Sequence, residues 1–162
     1  MIRIATEQDA EAISHIYNHY ITTTVITFEE EVVSSDDIAD RIKTTLAAGL
    51  PWLIAEEDNI VLGYAYATPW KSRIAYQFSV ETSVYLDPNA SRKGWGSQLY
   101  QALFVQLQHT KVRTVIGGIA LPNPASIALH EKLGMHKSAH FSKVGYKFNQ
   151  WIDVGYWQKS LT

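Results

Sequence analysis

The stretch of this chain best suited to chemistry runs Val84-Tyr85-Leu86-Asp87-Pro88-Asn89-Ala90-Ser91-Arg92-Lys93-Gly94-Trp95-Gly96-Ser97. A β-rich run ends at Leu86, Asp87-Pro88-Asn89 signals a turn, and Gly94-x-Gly96 opens a helical pattern. Glycine lets the backbone approach a ligand closely. The first turn of a helix leaves N–H groups without partners, and those donors together with the helix dipole favour an anion such as a phosphate. Arg92 and Lys93 add positive charge beside them. The alternative is that the glycines only tighten a strand-to-helix turn. Two other phosphate motifs do not apply. Leu99 stands where a dinucleotide fingerprint needs its third glycine, and no Gly-Lys-Ser/Thr follows as a P-loop requires.

The chain has no cysteine, which removes disulfides, thiolate metal sites and a cysteine nucleophile. A transferred group must use another nucleophile or pass directly to its acceptor. The six histidines show no metal-ligand spacing, so no metal is expected.

The elements that must hold this loop are readable from periodicity. Thr6, with Asp9 three residues on, can cap a first helix whose face is Ala10, Ile13, Ile16, Tyr17 and Tyr20. Ser34 or Ser35 can cap a second, with Ile38, Ile42 and Leu46 on its face and a stop at Gly49 before Pro51. Residues 52–56 and 60–67 read as a hairpin turning at Asp58-Asn59, and residues 79–86 as a third strand. A helix from Gly96 places Leu99, Leu103 and Leu107 on one face, and residues 112–119 follow as a strand. Asn123-Pro124 starts a helix that ends at Gly134, since Asn caps and Pro suits the first turn. Residues 135–141 and 152–158 read as two closing strands around a loop. The order is helices first, then β-β-β-α-β-α-β-β, in one mixed α/β domain over residues 1–162 with no repeat or linker.

Composition agrees with a globular domain: 46% of the residues are apolar and 19% charged. A formal net charge of −2 argues against phosphate-driven nucleic-acid binding. No stretch approaches the roughly 20 apolar residues of a membrane helix, and no apolar signal core follows Met1, so a cytoplasmic location is expected.

The loop resembles the acetyl-CoA pyrophosphate loop of the GNAT acetyltransferases, Gln/Arg-x-x-Gly-x-Gly/Ala. Gly94 and Gly96 match its glycines, while Ser91 departs from the leading Gln or Arg, and Arg92 and Lys93 supply charge in its place. Asn123-Pro124-Ala125-Ser126 through His130 to Gly134-Met135 is similar to the family's Asn-x-x-Ser/Ala-x-x-x-Tyr-x-x-x-Gly-Phe helix, with His130 in place of Tyr. The His130-Glu131 pair resembles the phosphinothricin N-acetyltransferases. So do Pro69-Trp70-Lys71-Ser72-Arg73, Val80-Glu81-Thr82-Ser83-Val84-Tyr85, Leu121-Pro122-Asn123 and Trp151-Ile152-Asp153-Val154-Gly155-Tyr156-Trp157-Gln158. The likeness reaches from Thr27-Phe28-Glu29 to Gln158.

This resemblance implies a GNAT (acyl-CoA N-acyltransferase) domain, a mixed central sheet with splayed middle strands flanked by helices. It implies acetyl-CoA as co-substrate and direct attack by the amine of a small amino acid analogue of the phosphinothricin, methionine sulfoximine or methionine sulfone type. A homodimer is expected on the same ground. Val84, Tyr85, Leu86, Arg92, Lys93, Gly94, Trp95, Gly96, Ser97, Asn123 and Ser126 would contact the cofactor. A free α-amino group has a pKa of roughly 8, so a proton must be removed near neutrality. Glu81 is the candidate general base, or else a salt-bridged strand carboxylate. His130 is the candidate to protonate or orient the departing sulfur, or else a histidine bonded on a helix face. Arg73 is expected to hold an acceptor carboxylate or phosphinate through its guanidinium fork, ahead of Lys71 and Lys147. Phe28, Trp70, Tyr76 and Thr82 are expected around the acceptor, while Trp151 and Trp157 pack a core or a dimer interface. Two other readings remain, a protein or peptide N-acetyltransferase and an acetyl-CoA-binding protein without catalysis.

Overall fold

In the computed structural model, which describes residues 1–90 and 93–162, seven strands form one sheet among four helices. The strands are β1 (Ile2–Ile4), β2 (Trp52–Glu57), β3 (Ile60–Pro69), β4 (Ser79–Leu86), β5 (Thr114–Leu121), β6 (His136–Lys147) and β7 (Gln150–Ser160). The helices are α1 (Ala10–Thr23), α2 (Ser35–Ala47), α3 (Trp95–Gln108) and α4 (Pro124–Lys132). The sheet order is β1-β2-β3-β4-β5-β7-β6, antiparallel throughout except for the β4–β5 pair.

Each face of the sheet has its own core. Ile13, Ile16, Tyr17 and Ile21 of α1 and Ile38 and Ile42 of α2 bury Trp52, Ile54 and Tyr64 on one side. Leu99, Tyr100, Leu103 and Leu107 of α3 bury Leu53, Ala65, Val80 and Val115 on the other. Both helical faces therefore carry the periodicity their sequences announced.

The local signals operate as expected at several ends. Ser34, not Ser35, caps α2 by accepting from the Asp37 N–H at 3.1 Å. Asn123 Oδ1 caps α4 by accepting from the Ser126 N–H at 3.1 Å. The Asp58-Asn59 turn has both residues at positive φ, 51° and 64°, the mirror-image turn that suits the twist of a hairpin.

Other boundaries differ. The chain begins with a strand: Ile2–Ile4 pairs with Leu53–Ala55, too short a run to show alternation. Thr6 and Asp9 form their capping box on a 3-10 turn, Glu7–Asp9, that leads into α1. The strand expected over residues 112–119 is β5, shifted to Thr114–Leu121. The closing strands are one long hairpin with a two-residue turn, Phe148-Asn149 at φ 52° and 59°, in place of the expected loop.

The feature that positions the site is the partial pairing of the two central strands. β4 pairs with β3 along Val80–Leu86 without a register shift, yet it pairs with β5 only from Ser79 to Glu81. Beyond Glu81 the two strands part. The splay thus occurs without the bulge that often accompanies one.

Candidate active site

The parted strands open a cleft of about 490 Å³, lined by Val84, Tyr85 and Leu86 of β4, Gly94 to Ser97 at the start of α3, and Asn123, Ser126 and Leu129 of the α4 region. Gly94 sits at φ 73°, a left-handed conformation glycine adopts at little cost. It provides no side-chain cap, so the first N–H groups of α3 stay open to a ligand. The Ser97 hydroxyl and the Trp95 indole N–H are buried in the same turn without a partner among the described residues. Unpaired donors at a helix start beside a groove of apolar walls suit a phosphate with an extended arm. Tyr20 of α1 lines the cleft as well and donates to the Leu86 carbonyl.

A second group of side chains lies on the opposite face of β4. Alternation along the strand sends Val80, Thr82, Val84 and Leu86 toward α3, and Glu81 the other way. There, a Cβ placed on Gly118 would lie 3.3 Å from Glu81 Oε1 and 3.1 Å from Tyr156 Cε1. Gly118 is exposed although its strand is central, so it floors an open chamber with Glu81 and Tyr156 over it. Trp70 meets the Tyr156 ring edge-on at 5.4 Å, and Phe141 does so at 5.9 Å. Burial pushes the Glu81 carboxyl above its ordinary range, and the Lys71 ammonium pulls it partly back. A raised pKa makes the ionised carboxylate a stronger proton acceptor.

Residues 24–34 run from α1 across this face to β6. Lys147 is 1% exposed and donates to the Thr27 carbonyl at 2.8 Å. Tyr17 donates to Glu29, which Arg41 holds through two bonds of 2.7 and 2.9 Å. The Phe28 ring packs on β6, 2.4 Å from where a Gly145 Cβ would stand.

The acetyltransferase (GNAT) domain profile matches residues 2–155. The chain is 40% identical to the phosphinothricin N-acetyltransferase of Streptomyces viridochromogenes, over 99% of this chain and 87% of that one. It is 34% identical to the L-methionine sulfoximine/L-methionine sulfone acetyltransferase of Salmonella typhimurium, over 99% and 94%. The chain belongs to the GNAT acetyltransferases. The solved phosphinothricin acetyltransferase of Sinorhizobium meliloti, in complex with acetyl-CoA, superposes on this GNAT chain with a TM-score of 0.95. That match has 34% identity and covers 99% of this chain and 87% of the other.

Of the residues expected to meet the cofactor, Val84, Tyr85, Leu86, Gly94, Trp95, Gly96, Ser97, Asn123 and Ser126 all line the cleft of this GNAT domain. Lys93 instead pairs with Glu57 at 3.0 Å on the surface. Ser91 and Arg92 lie outside the described residues. Asn123 spends its carbonyl oxygen on the helix cap, so its amide N–H groups are what it has left for a ligand.

The acceptor residues are less gathered. Glu81 and Trp70 share the Gly118 chamber through Tyr156. Thr82 does not contribute its side chain there: it is 3% exposed and turned to the α3 side, because neighbours on a strand face opposite ways. Arg73 lines a separate groove of about 810 Å³ with Gln77 and Lys111, whose floor of Leu50, Val80 and Val112 belongs to the α3 core. Glu81 is absent from that lining, while Trp70 and Lys71 stand between the two sites. Tyr76 is exposed on the 3-10 turn Ile74–Tyr76 and lines neither the cleft nor the groove. His130 is buried against β5 and is not among the cleft residues.

Sequence reasoning missed Tyr20, Leu129, Gly118 and Tyr156. One signal was available for Gly118: two adjacent glycines inside a Val- and Ile-rich strand mark a close approach by other groups. Among the described residues no group of three His, Asp or Glu side chains is arranged to hold a metal.

Proposed function

We infer that this GNAT chain transfers the acetyl group of acetyl-CoA to the free amino group of a small amino acid analogue, of the phosphinothricin, methionine sulfoximine or methionine sulfone kind, in a ternary complex. The observation that carries this reading is Glu81, a half-buried carboxylate with a raised pKa, set over the exposed Gly118 where β4 leaves β5. The named relatives, similar over nearly the whole chain, support the acceptor class.

Bound acetyl-CoA supplies the acetyl group as a thioester. The first turn of α3 and the Ser97 hydroxyl receive its phosphates, with Val84, Leu86, Asn123 and Ser126 along its arm. Glu81 takes the proton that frees the acceptor nitrogen's lone pair, the C–N bond then forms as the C–S bond breaks, and the nitrogen's surplus proton passes to the departing sulfur. Backbone N–H groups of β4 freed by the splay are the donors available to the carbonyl as charge develops. Trp70 and Tyr156 wall the acceptor, Phe28 closes it from the 24–34 segment, and Lys71 or Arg73 meets its acid group. A cytoplasmic location goes with a reaction that uses acetyl-CoA.

The same reading includes a homodimer. Phe141, Val144, Tyr146, Phe148 and Trp151, the last 65% exposed, crowd the β6–β7 hairpin, and β6 is an edge of the sheet. An exposed apolar patch on an edge strand is the usual mark of a protein contact. Sedimentation should give twice the 18.3 kDa chain mass, and Trp151→Lys should shift it toward the monomer.

Thiol release from acetyl-CoA is the direct test, run against phosphinothricin, methionine sulfoximine, methionine sulfone, common amino acids and a short peptide. Without cysteine the protein contributes no thiol background. Saturable release with a small amino acid analogue is expected. Release with the peptide alone would replace this reading with peptide acetylation, and cofactor binding without release would leave only a binding protein.

A further inference from the structure

Beneath the parted strands lies a line of buried polar groups that the acetyl-transfer reading does not use. His130 of α4 is 3% exposed, and its Nδ1 sits 2.7 Å from the Ser126 carbonyl oxygen. A carbonyl can only accept, so Nδ1 carries the hydrogen. Nε2 lies 3.3 Å from the Tyr100 hydroxyl, and the two rings meet edge-on at 5.3 Å. Burial favours the uncharged imidazole, which leaves Nε2 a lone pair and makes Tyr100 the donor.

Tyr100, on α3, is itself buried, and its phenol faces the Thr82 hydroxyl of β4. Thr82 Oγ1 is buried and has no partner at hydrogen-bond distance among the described residues. Donation to the free lone pairs of the Tyr100 oxygen would complete a chain Thr82→Tyr100→His130→Ser126. The sheet is built to admit this chain, since a Cβ on Gly117 would lie 2.6 Å from His130 Nε2. Thr82 is also the first residue of β4 past its last pair with β5.

We propose that His130 serves the reaction as a hydrogen-bond acceptor rather than as a proton donor to sulfur: it holds the Tyr100 phenol, Tyr100 holds β4 at Thr82, and the chain thereby sets the neighbouring Glu81 over Gly118. His130, Tyr100 and Thr82 are then positioning residues, linking the helix that bears Asn123 and Ser126 to the strand that bears the base. This rests on the acetyl-transfer reading for its kinetic consequence, but the hydrogen-bond chain can be read without turnover.

Two measurements test it on the full chain. Imidazole nitrogen NMR, with His130→Gln assigning the signal, should show His130 protonated at Nδ1 and an Nε2 whose resonance moves toward that of an unbonded nitrogen in Tyr100→Phe. Steady-state kinetics should show Tyr100→Phe and His130→Gln each lowering kcat about tenfold, the scale of one lost buried hydrogen bond, with the acetyl-CoA KM little changed. The double variant should be no worse than the weaker single, since members of one network are not additive. Thr82→Val should act in the same direction and Thr82→Ser should restore activity, with melting and CoA binding showing each variant folded. His130 protonated at Nε2, additive losses, full kcat in Tyr100→Phe, or a pH–rate profile above neutrality that changes shape in His130→Gln would overturn it. A wild-type protein that acetylates nothing would defeat the transfer reading, and the NMR result would still decide the chain.

Discussion

At the level of single residues, the proposed site rests on a carboxylate whose surroundings oppose its charge. Glu81→Gln keeps the shape and removes the proton acceptor, so kcat should fall on the order of 10²–10⁴-fold, while calorimetry should find acetyl-CoA binding intact. The neighbouring cation provides a second handle. Lys71 lowers a carboxyl that burial has raised, so Lys71→Met should raise it further. As the proposed base, Glu81 works only when ionised, so the acid limb of the pH–rate profile should move to higher pH in Lys71→Met. An unmoved limb would separate Lys71 from Glu81. Arg73 keeps the proposed acceptor role its sequence context suggested, but from a neighbouring groove. It lines the groove beside Lys111, and only a shared loop connects it to Glu81. Arg73→Met should therefore alter the acceptor KM more than kcat if the loop carries the acceptor's acid group.

Among the elements, β5 shows how thin the sheet is where it matters. Gly117 gives up its side chain to His130 on one face and Gly118 to Glu81 and Tyr156 on the other. Gly117→Ala puts a methyl 2.6 Å from an imidazole nitrogen in a packed layer, and should cost about 1–3 kcal/mol in denaturant unfolding. Gly118→Ala meets its neighbours at 3.1 and 3.3 Å in an open chamber, so it should spare stability and lower kcat/KM instead. Equal loss of stability in both would mean the chamber is closed. The legibility of the elements follows the same physics. The helices were readable because their apolar faces repeat at 3.6 residues, and the Asp58-Asn59 turn because its residue types tolerate positive φ. The β6–β7 hairpin was not. Its register shifts between Lys137 and Ala139 and between Phe141 and Gly145 break the alternation, and its turn places Phe148 at φ 52°, where few would look for a phenylalanine. The cleft between β4 and α3 was legible because glycine, helix start and cap are local signals. The Gly118 chamber is assembled from β4, β5, β7 and Trp70 just past β3, and proximity across a sheet leaves little trace in a linear pattern.

Across the whole molecule, the amino-terminal strand is tied down by charge. Arg3 bonds Asp9 at 2.8 and 2.9 Å and Glu56 at 2.9 Å, joining β1 to β2 and to the start of α1. Burial pushes the Asp9 carboxyl up, yet the hydrogen bonds from Arg3 and Thr6 hold it below its ordinary range. A carboxyl with a depressed folded-state pKa contributes stability that is full above its unfolded value, roughly 3.9, and is lost as pH falls through the folded one. Arg3→Met leaves only Thr6 to oppose burial, so acid unfolding followed by circular dichroism should begin at higher pH, with about 1–3 kcal/mol lost near neutrality. An unchanged acid midpoint would show that the pair contributes nothing to the fold.

The parity of β4 has a consequence for how such a chain can change. The side chains of Val80, Val84 and Leu86 face the α3 core and that of Glu81 faces Gly118, so each side chain's direction is set by counting along the strand. Losing or gaining one residue between Ser79 and Leu86 would swap the two sets, sending Glu81 into the α3 core and Val84 into the chamber. Substitution can tune either site independently, but a change of length in this strand would forfeit both at once. Variation in length is therefore tolerable only outside it, in the connections on either side.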